Sequence, residues 1–171
     1  MTISNVYCVL KHIIIIICLS TTCVANDIPS GSMLFVDDGN AIVKQFTQSN
    51  ITHVAIIAKE NGNNYVFEAI KPKVKKTLLE DYLKETKEKV YLVVPNEKYI
   101  KIDNNKLLGY LNKQLDKKYS IENYNNPKPN NKTIFCSQLV VDCYNHCDTN
   151  VFIYYSQYYY PGKVWETMMN K

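Results

Sequence analysis

Ile134-Phe135-Cys136-Ser137-Gln138-Leu139-Val140-Val141-Asp142-Cys143-Tyr144 is the stretch whose reading decides the fold. A Pro- and Asn-rich loop over 122–133 leads into it and cannot itself be helical. Beyond that loop, Leu139, Val140, Cys143, Tyr144 and Cys147 recur at three- and four-residue steps, one face of a 3.6-residue period. The spacing predicts a helix starting at Cys136, with the thiol in its first turn. A helix N-terminus carries partial positive charge and unpaired N–H groups, which favour a thiolate over a thiol. Such a cysteine can serve as a nucleophile, or it can simply pack as a small hydrophobe. The remainder of the chain has to separate the two readings.

Working outward, two earlier stretches place polar side chains on apolar strands. His53-Val54-Ala55-Ile56-Ile57 is rich in β-formers, and so is Tyr65-Val66-Phe67-Glu68-Ala69-Ile70. The turn-forming run Glu60-Asn61-Gly62-Asn63-Asn64 between them predicts a hairpin. Glu68 is flanked on its own face by Val66 and Ile70, and a carboxylate buried there needs a partner. Rough pairing brings His53 near Ile70 or Glu68. Glu68 would then accept from one ring nitrogen, leaving the other to take a proton from a thiol. That is a nucleophile–base–orienter set: Cys136, His53 and Glu68. Taken singly, His53 could be a surface histidine at a strand end and Glu68 a water-exposed edge residue. His146 is ten residues beyond Cys136 on the predicted helix, about 15 Å along its axis, too far to serve it.

These stretches resemble the permuted papain-like hydrolases of the YiiX/YaeF type, relatives of the NlpC-type cell-wall peptidases. The resemblance is carried by segments 29–35, 53–57, 66–70, 118–119 and 135–144 and extends over about 28–165. "THVAII", "VFEAI" and "FCSQLVVDCY" look like the family's His, Glu and Cys blocks, in the permuted order with the cysteine last. The resemblance implies an α+β, circularly permuted papain-like fold: a small antiparallel sheet packed on helices, with the nucleophile at a helix N-terminus. It implies catalytic roles for Cys136, His53 and Glu68. "KKY" ahead of the cysteine resembles the family's tyrosine, which makes Tyr119 the expected oxyanion partner. The implied activity is that of a thiol-dependent amidase or peptidase, or of a lipid acyl hydrolase or acyltransferase. Where the family often has Gly-Asp and Tyr-Asp, this chain has Gly31-Ser32 and Tyr119-Ser120.

Composition narrows the field. A chain of 171 residues, 46% hydrophobic and 21% charged, suits one globular domain with a sizeable core. The net charge is +4, yet the sequence contains no arginine and no basic stripe interleaved with aromatics. Nucleic-acid recognition is therefore not expected. No zinc-type ligand spacing is present, so neither metal nor cofactor is expected.

Residues 1–25 read as a secretory signal peptide. Lys11 precedes the apolar run Ile13-Ile14-Ile15-Ile16-Ile17, and Cys23-Val24-Ala25 offers small residues for cleavage. The alternative is an uncleaved anchor holding the protein at a membrane. Either way the protein is expected outside the cell or at the cell envelope, close to membrane. Residues 26–171 form the single expected domain, acting as a monomer on a peptide, amide or lipid substrate. Cleavage leaves Cys136, Cys143 and Cys147. Three is an odd number, and two cysteines four apart on one helix fit a disulfide poorly.

Further elements are expected as a strand at 33–36, a short helix at 41–47 capped by Asn40, a helix at 77–86, a strand at 90–94 and a helix at about 104–117. The Tyr-rich run 152–160 is expected to pack the core. Two other classes stay open: a non-catalytic secreted binding module on the same scaffold, and a glycosylated interaction protein. Asn50-Ile51-Thr52 and Asn131-Lys132-Thr133 are glycosylation sequons.

Overall fold

The computed structural model describes residues 8–10, 13–16, 28–37, 41–47, 49–98, 100–121, 132–147, 152 and 160–169. The hairpin expected around residues 59–64 forms within the main sheet. Strand β4 (His53–Glu60) pairs antiparallel with β5 (Asn63–Ala69), Ile56 opposite Phe67. Its turn is tighter than the sequence suggested. Asn61 and Gly62 both have positive φ, 50° and 82°, the combination that matches a two-residue turn to strand twist.

On one side β4 pairs with β3 (Met33–Asp37), and β3 with β7 (Lys89–Pro95); on the other, β5 pairs with β6 (Val74–Leu78). Two N-terminal strands, β1 (Cys8–Leu10) and β2 (Ile13–Ile16), extend the sheet beyond β7. The order is β1-β2-β7-β3-β4-β5-β6, with every pairing antiparallel. The apolar run read as part of a signal segment thus contributes β2, held between β1 and β7. Among the described residues, no helix is long and apolar enough to cross a membrane.

Helices cover both faces. Helix α2 (Leu79–Glu85) seals one face, where Leu79 and Tyr82 join Leu34, Ala55, Ile57 and Val66. The other face carries α3 (Asn104–Gln114), α4 (Cys136–His146) and α5 (Pro161–Met169). There Phe35, Ile56 and Phe67 meet Leu107, Leu139 and Val140, all fully buried. Each such side chain contributes about 1.5–3 kcal/mol by leaving water. Trp165 closes this layer edge-on against Phe35, with centroids 5.1 Å apart.

Four expectations need amendment. Residues 77–78, assigned to the second helix, belong to strand β6, because Val74-Lys75-Lys76-Thr77-Leu78 extends beside β5. The helix expected to reach 117 stops at Gln114, where Leu115 turns extended and Asp116 adopts a left-handed φ of 64°. At its start Asp103 accepts from the Asn105 and Lys106 amides, a side-chain N-cap. Helix α4 is broader in its burial than a single stripe. Residues 136–141 are all buried, because sheet, α3 and α5 surround them. Lastly, β8 (Lys118–Tyr119) and β9 (Thr133–Ile134) form a small parallel pair that the sequence did not suggest.

Helix α1 (Ala41–Thr47) forms where expected. Its proposed cap Asn40 and the side chains of Ile42 and Phe46 lie outside the described residues, as do Asn131 and most of 152–160. Phe152 is described; it is buried edge-on against Tyr144.

Candidate active site

The three residues of the expected set come together. His53 opens β4, Glu68 lies near the end of β5, and Cys136 opens α4. The register of the hairpin brings His53 level with Ile70, and the ring reaches diagonally to Glu68. His53 Nε2 lies 2.7 Å from Glu68 Oε2. A carboxylate only accepts, so Nε2 carries the proton. Cys136 also acts on the ring, raising its basicity. With Nε2 taken by Glu68, Nδ1 is the nitrogen left for the thiol.

By strand alternation His53 and Glu68 belong to the α2 face, whereas α4 packs on the opposite one. The meeting is possible because His53 is the first residue of its strand and Cys136 the first of its helix. Imidazole and sulfur join at the rim of the sheet rather than through it. The N-cap residue, Phe135, supplies no side-chain hydrogen bond, so the positive end of the α4 dipole is not capped by a side chain.

The electrostatics follow from burial and contacts. Burial alone would push the His53 imidazolium down. The hydrogen bonds to Cys136 and Glu68, and the negative charge of both, outweigh it and raise the group from 6.5 to about 10. Burial likewise works to raise Glu68, but His53 and Lys75 hold its carboxyl below the usual range. Lys75, on β6, sits 3.0 Å from Glu68 Oε1. Tyr82 of α2 lines the same region; burial and then the Glu68 carboxylate push its phenol well up. A cleft of about 340 Å³ opens here, lined by Val36, His53, Glu68, Ile70, Lys75 and Tyr82, with Glu85, Thr86 and Glu88. Cys136 itself is 7% exposed.

The other expected residues fall as follows. Tyr119 is half-buried on β8, opposite Ile134 and so two positions before the thiol; its amide donates to Pro72 O at 2.9 Å. Gly31-Ser32 lies toward the far end of β4. Ser32 is fully buried, and its hydroxyl donates to Pro29 O at 2.7 Å. Gly31 has a φ of +90°, and an added Cβ would come 2.1 Å from the Ile102 side chain. Its carbonyl accepts from the Tyr144 hydroxyl, tying α4 to the lead-in of β3. His146 is exposed, stacked beside Tyr110 and apart from the thiol. Asn50, of the first sequon, is exposed three residues before His53. Lys75 and Tyr82 were not singled out from sequence. Val74-Lys75-Lys76-Thr77-Leu78 shows no strand alternation that could have marked the lysine.

A late helix that starts on a cysteine, preceded by a strand-borne imidazole–carboxylate pair, is the arrangement of a papain-like thiol hydrolase in permuted order. The chain belongs to the permuted papain-like amidase enzymes of the YaeF/YiiX type, the C92 family, whose model matches residues 27–162. Its fold is similar to the crystal structure of the metalloprotein yiiX from Escherichia coli O157:H7, at 20% identity and a TM-score of 0.56. That likeness covers 70% of this chain and 66% of the other, so the chain spans slightly under two thirds of the yiiX structure. No curated protein matches the chain. Although yiiX is described as a metalloprotein, no group of three or more His, Cys, Asp or Glu that could hold a metal ion occurs among the described residues here.

Proposed function

We propose that Cys136, His53 and Glu68 form the catalytic set of a thiol-dependent amidase. The observation that carries this reading is the 2.7 Å His53–Glu68 pair, with Cys136 at the start of α4 acting on the same imidazole. At neutral pH His53 holds its proton, so sulfur faces an imidazolium backed by a carboxylate. In the reaction the Cys136 thiolate attacks the carbonyl carbon, and the tetrahedral oxyanion is met by the Cys136 backbone N–H and the Tyr119 hydroxyl. His53 passes its proton to the departing amine as the C–N bond breaks, leaving a thioester. Water then loses a proton to His53, attacks the thioester and frees the acid and the thiol. Glu68 holds the ring in the right tautomer throughout.

The family description favours amides; lipid acyl esters and transfer to a second acceptor use the same thioester. On this reading the protein is a monomer, which sedimentation or light scattering tests. The same reading keeps residues 1–25 as a secretory signal, whose removal would leave β7 an edge strand; N-terminal sequencing of exported protein tests it. The rival reading, a binding module with an inert cysteine, is favoured by the low exposure of Cys136. A generic acyl donor separates the two. Incubated with p-nitrophenyl acetate, the wild type is expected to carry an acetyl group on Cys136 and to release nitrophenolate continuously. Absence of the adduct, or equal turnover by Cys136→Ala, would refute the hydrolase reading.

A further inference from the structure

Glu68 is held at both oxygens. Oε2 accepts from His53 at 2.7 Å, and Oε1 accepts from Lys75 Nζ at 3.0 Å. The second contact follows from sheet register, since Lys75 lies directly opposite Glu68 across β5 and β6. The Glu68 side chain is only 4% exposed, whereas Lys75 is 42% exposed, so the ammonium comes in from the solvent side onto a buried carboxylate. A carboxylate bound at one oxygen can rotate about its terminal torsion and exchange oxygens. A charged contact on the other oxygen removes that freedom and satisfies acceptor capacity that burial would leave idle.

We propose that Lys75 is a positioning residue of the hydrolase site: it clamps Oε1 of Glu68, so that Oε2 meets His53 in one orientation with part of its charge already offset. This inference rests on the reading of Cys136, His53 and Glu68 as one working set. The titratable and charged groups facing Glu68 are His53 from β4, Lys75 from β6, Tyr82 and Glu85 from α2, Glu88 from the turn after it, and Cys136 from α4. Lys75 is the one cation among them besides the imidazolium, among the described residues. Removing it leaves the whole carboxylate charge acting on His53, so the imidazolium persists to higher pH. At the separation implied by the two contacts, and allowing for the exposure of Lys75, the shift is about one pH unit upward.

The test is the pH dependence of Cys136 alkylation by iodoacetamide, followed peptide by peptide with mass spectrometry on the full chain. The upper step of that profile reports loss of the His53 proton. In Lys75→Met the step is expected to move up by about one pH unit, and Lys75→Arg is expected to return it to the wild-type position. Lys75→Gln gives the same reading should the Met variant fold poorly. A slower reaction with the step unmoved in both neutral variants, or a step moved down, would overturn the proposal. His53→Ala is the separate control. If it leaves Cys136 alkylation unchanged, the catalytic set itself fails, and Lys75 with it.

Discussion

At the start of α4, Cys136 acts on the His53 imidazole, which a carboxylate steadies from β5. Two turns further along the same helix, Cys143 is fully buried among apolar side chains, and its partner is Cys147. Burial, followed by the Cys147 hydrogen bond and charge, pushes the Cys143 thiol well up. Both residues lie on one apolar helix and count as buried, so neither exposure nor helix membership separates them. What separates them is the helix end with its unpaired N–H groups and the imidazole at the rim of the sheet.

The largest expected effect widens that contrast. Cys136→Ala should lower acyl transfer from p-nitrophenyl acetate by about 10³-fold or more. Cys143→Ala should leave turnover near wild type and cost about 1–2 kcal/mol in urea melts, by the small cavity it makes. A comparable loss of turnover in both variants would erase the distinction. Next, Glu68→Gln keeps an oxygen for His53 but gives up the charge, and should reduce turnover by about 10²-fold. It should also bring His53 down from about 10, so the alkaline limb moves to lower pH. An unmoved limb would mean that the carboxylate does not govern the imidazole.

A smaller effect lies between the two thiols. Asp142 is half-buried on α4, and burial raises its carboxyl from 3.8 to about 6 against the pull of Gln138 and Lys117. Because the folded value exceeds the unfolded one, its contribution to stability is fully present below pH 3.8 and is lost as pH rises through about 6. Asp142→Asn mimics the neutral form. It should gain about 1–2 kcal/mol at pH 7 relative to wild type and flatten the stability profile across that window. Equal stability at pH 7 would show that water reaches this side of the helix freely.

The site was legible because its residues break local rules. His53 and Glu68 interrupt apolar strands, and the cysteine stands where a loop meets a helix. Rough pairing across the turn run 60–64 was enough to bring the imidazole near Ile70 or Glu68. Strand β6 was less legible. Lys75 and Lys76 have little β-propensity on their own, and they extend only because β5 offers its open edge. Lys76 then covers the Tyr65 ring at 4.3 Å, while Lys75 turns to Glu68 on the opposite face. Such tertiary contacts leave no periodic trace. The all-round burial of α4 was hidden for a similar reason, since Ser137 and Gln138 are polar side chains enclosed by neighbours remote in sequence.

The central claim is that His53 acts on Cys136 and on no other thiol in the folded chain. Iodoacetamide alkylation at pH 7, resolved cysteine by cysteine in wild type and His53→Ala, measures this directly. Cys136 is expected to react at least about tenfold faster than Cys143 or Cys147, and to lose that advantage when the imidazole is removed. Equal labelling of the three thiols, or fast Cys136 labelling that survives in His53→Ala, would contradict it.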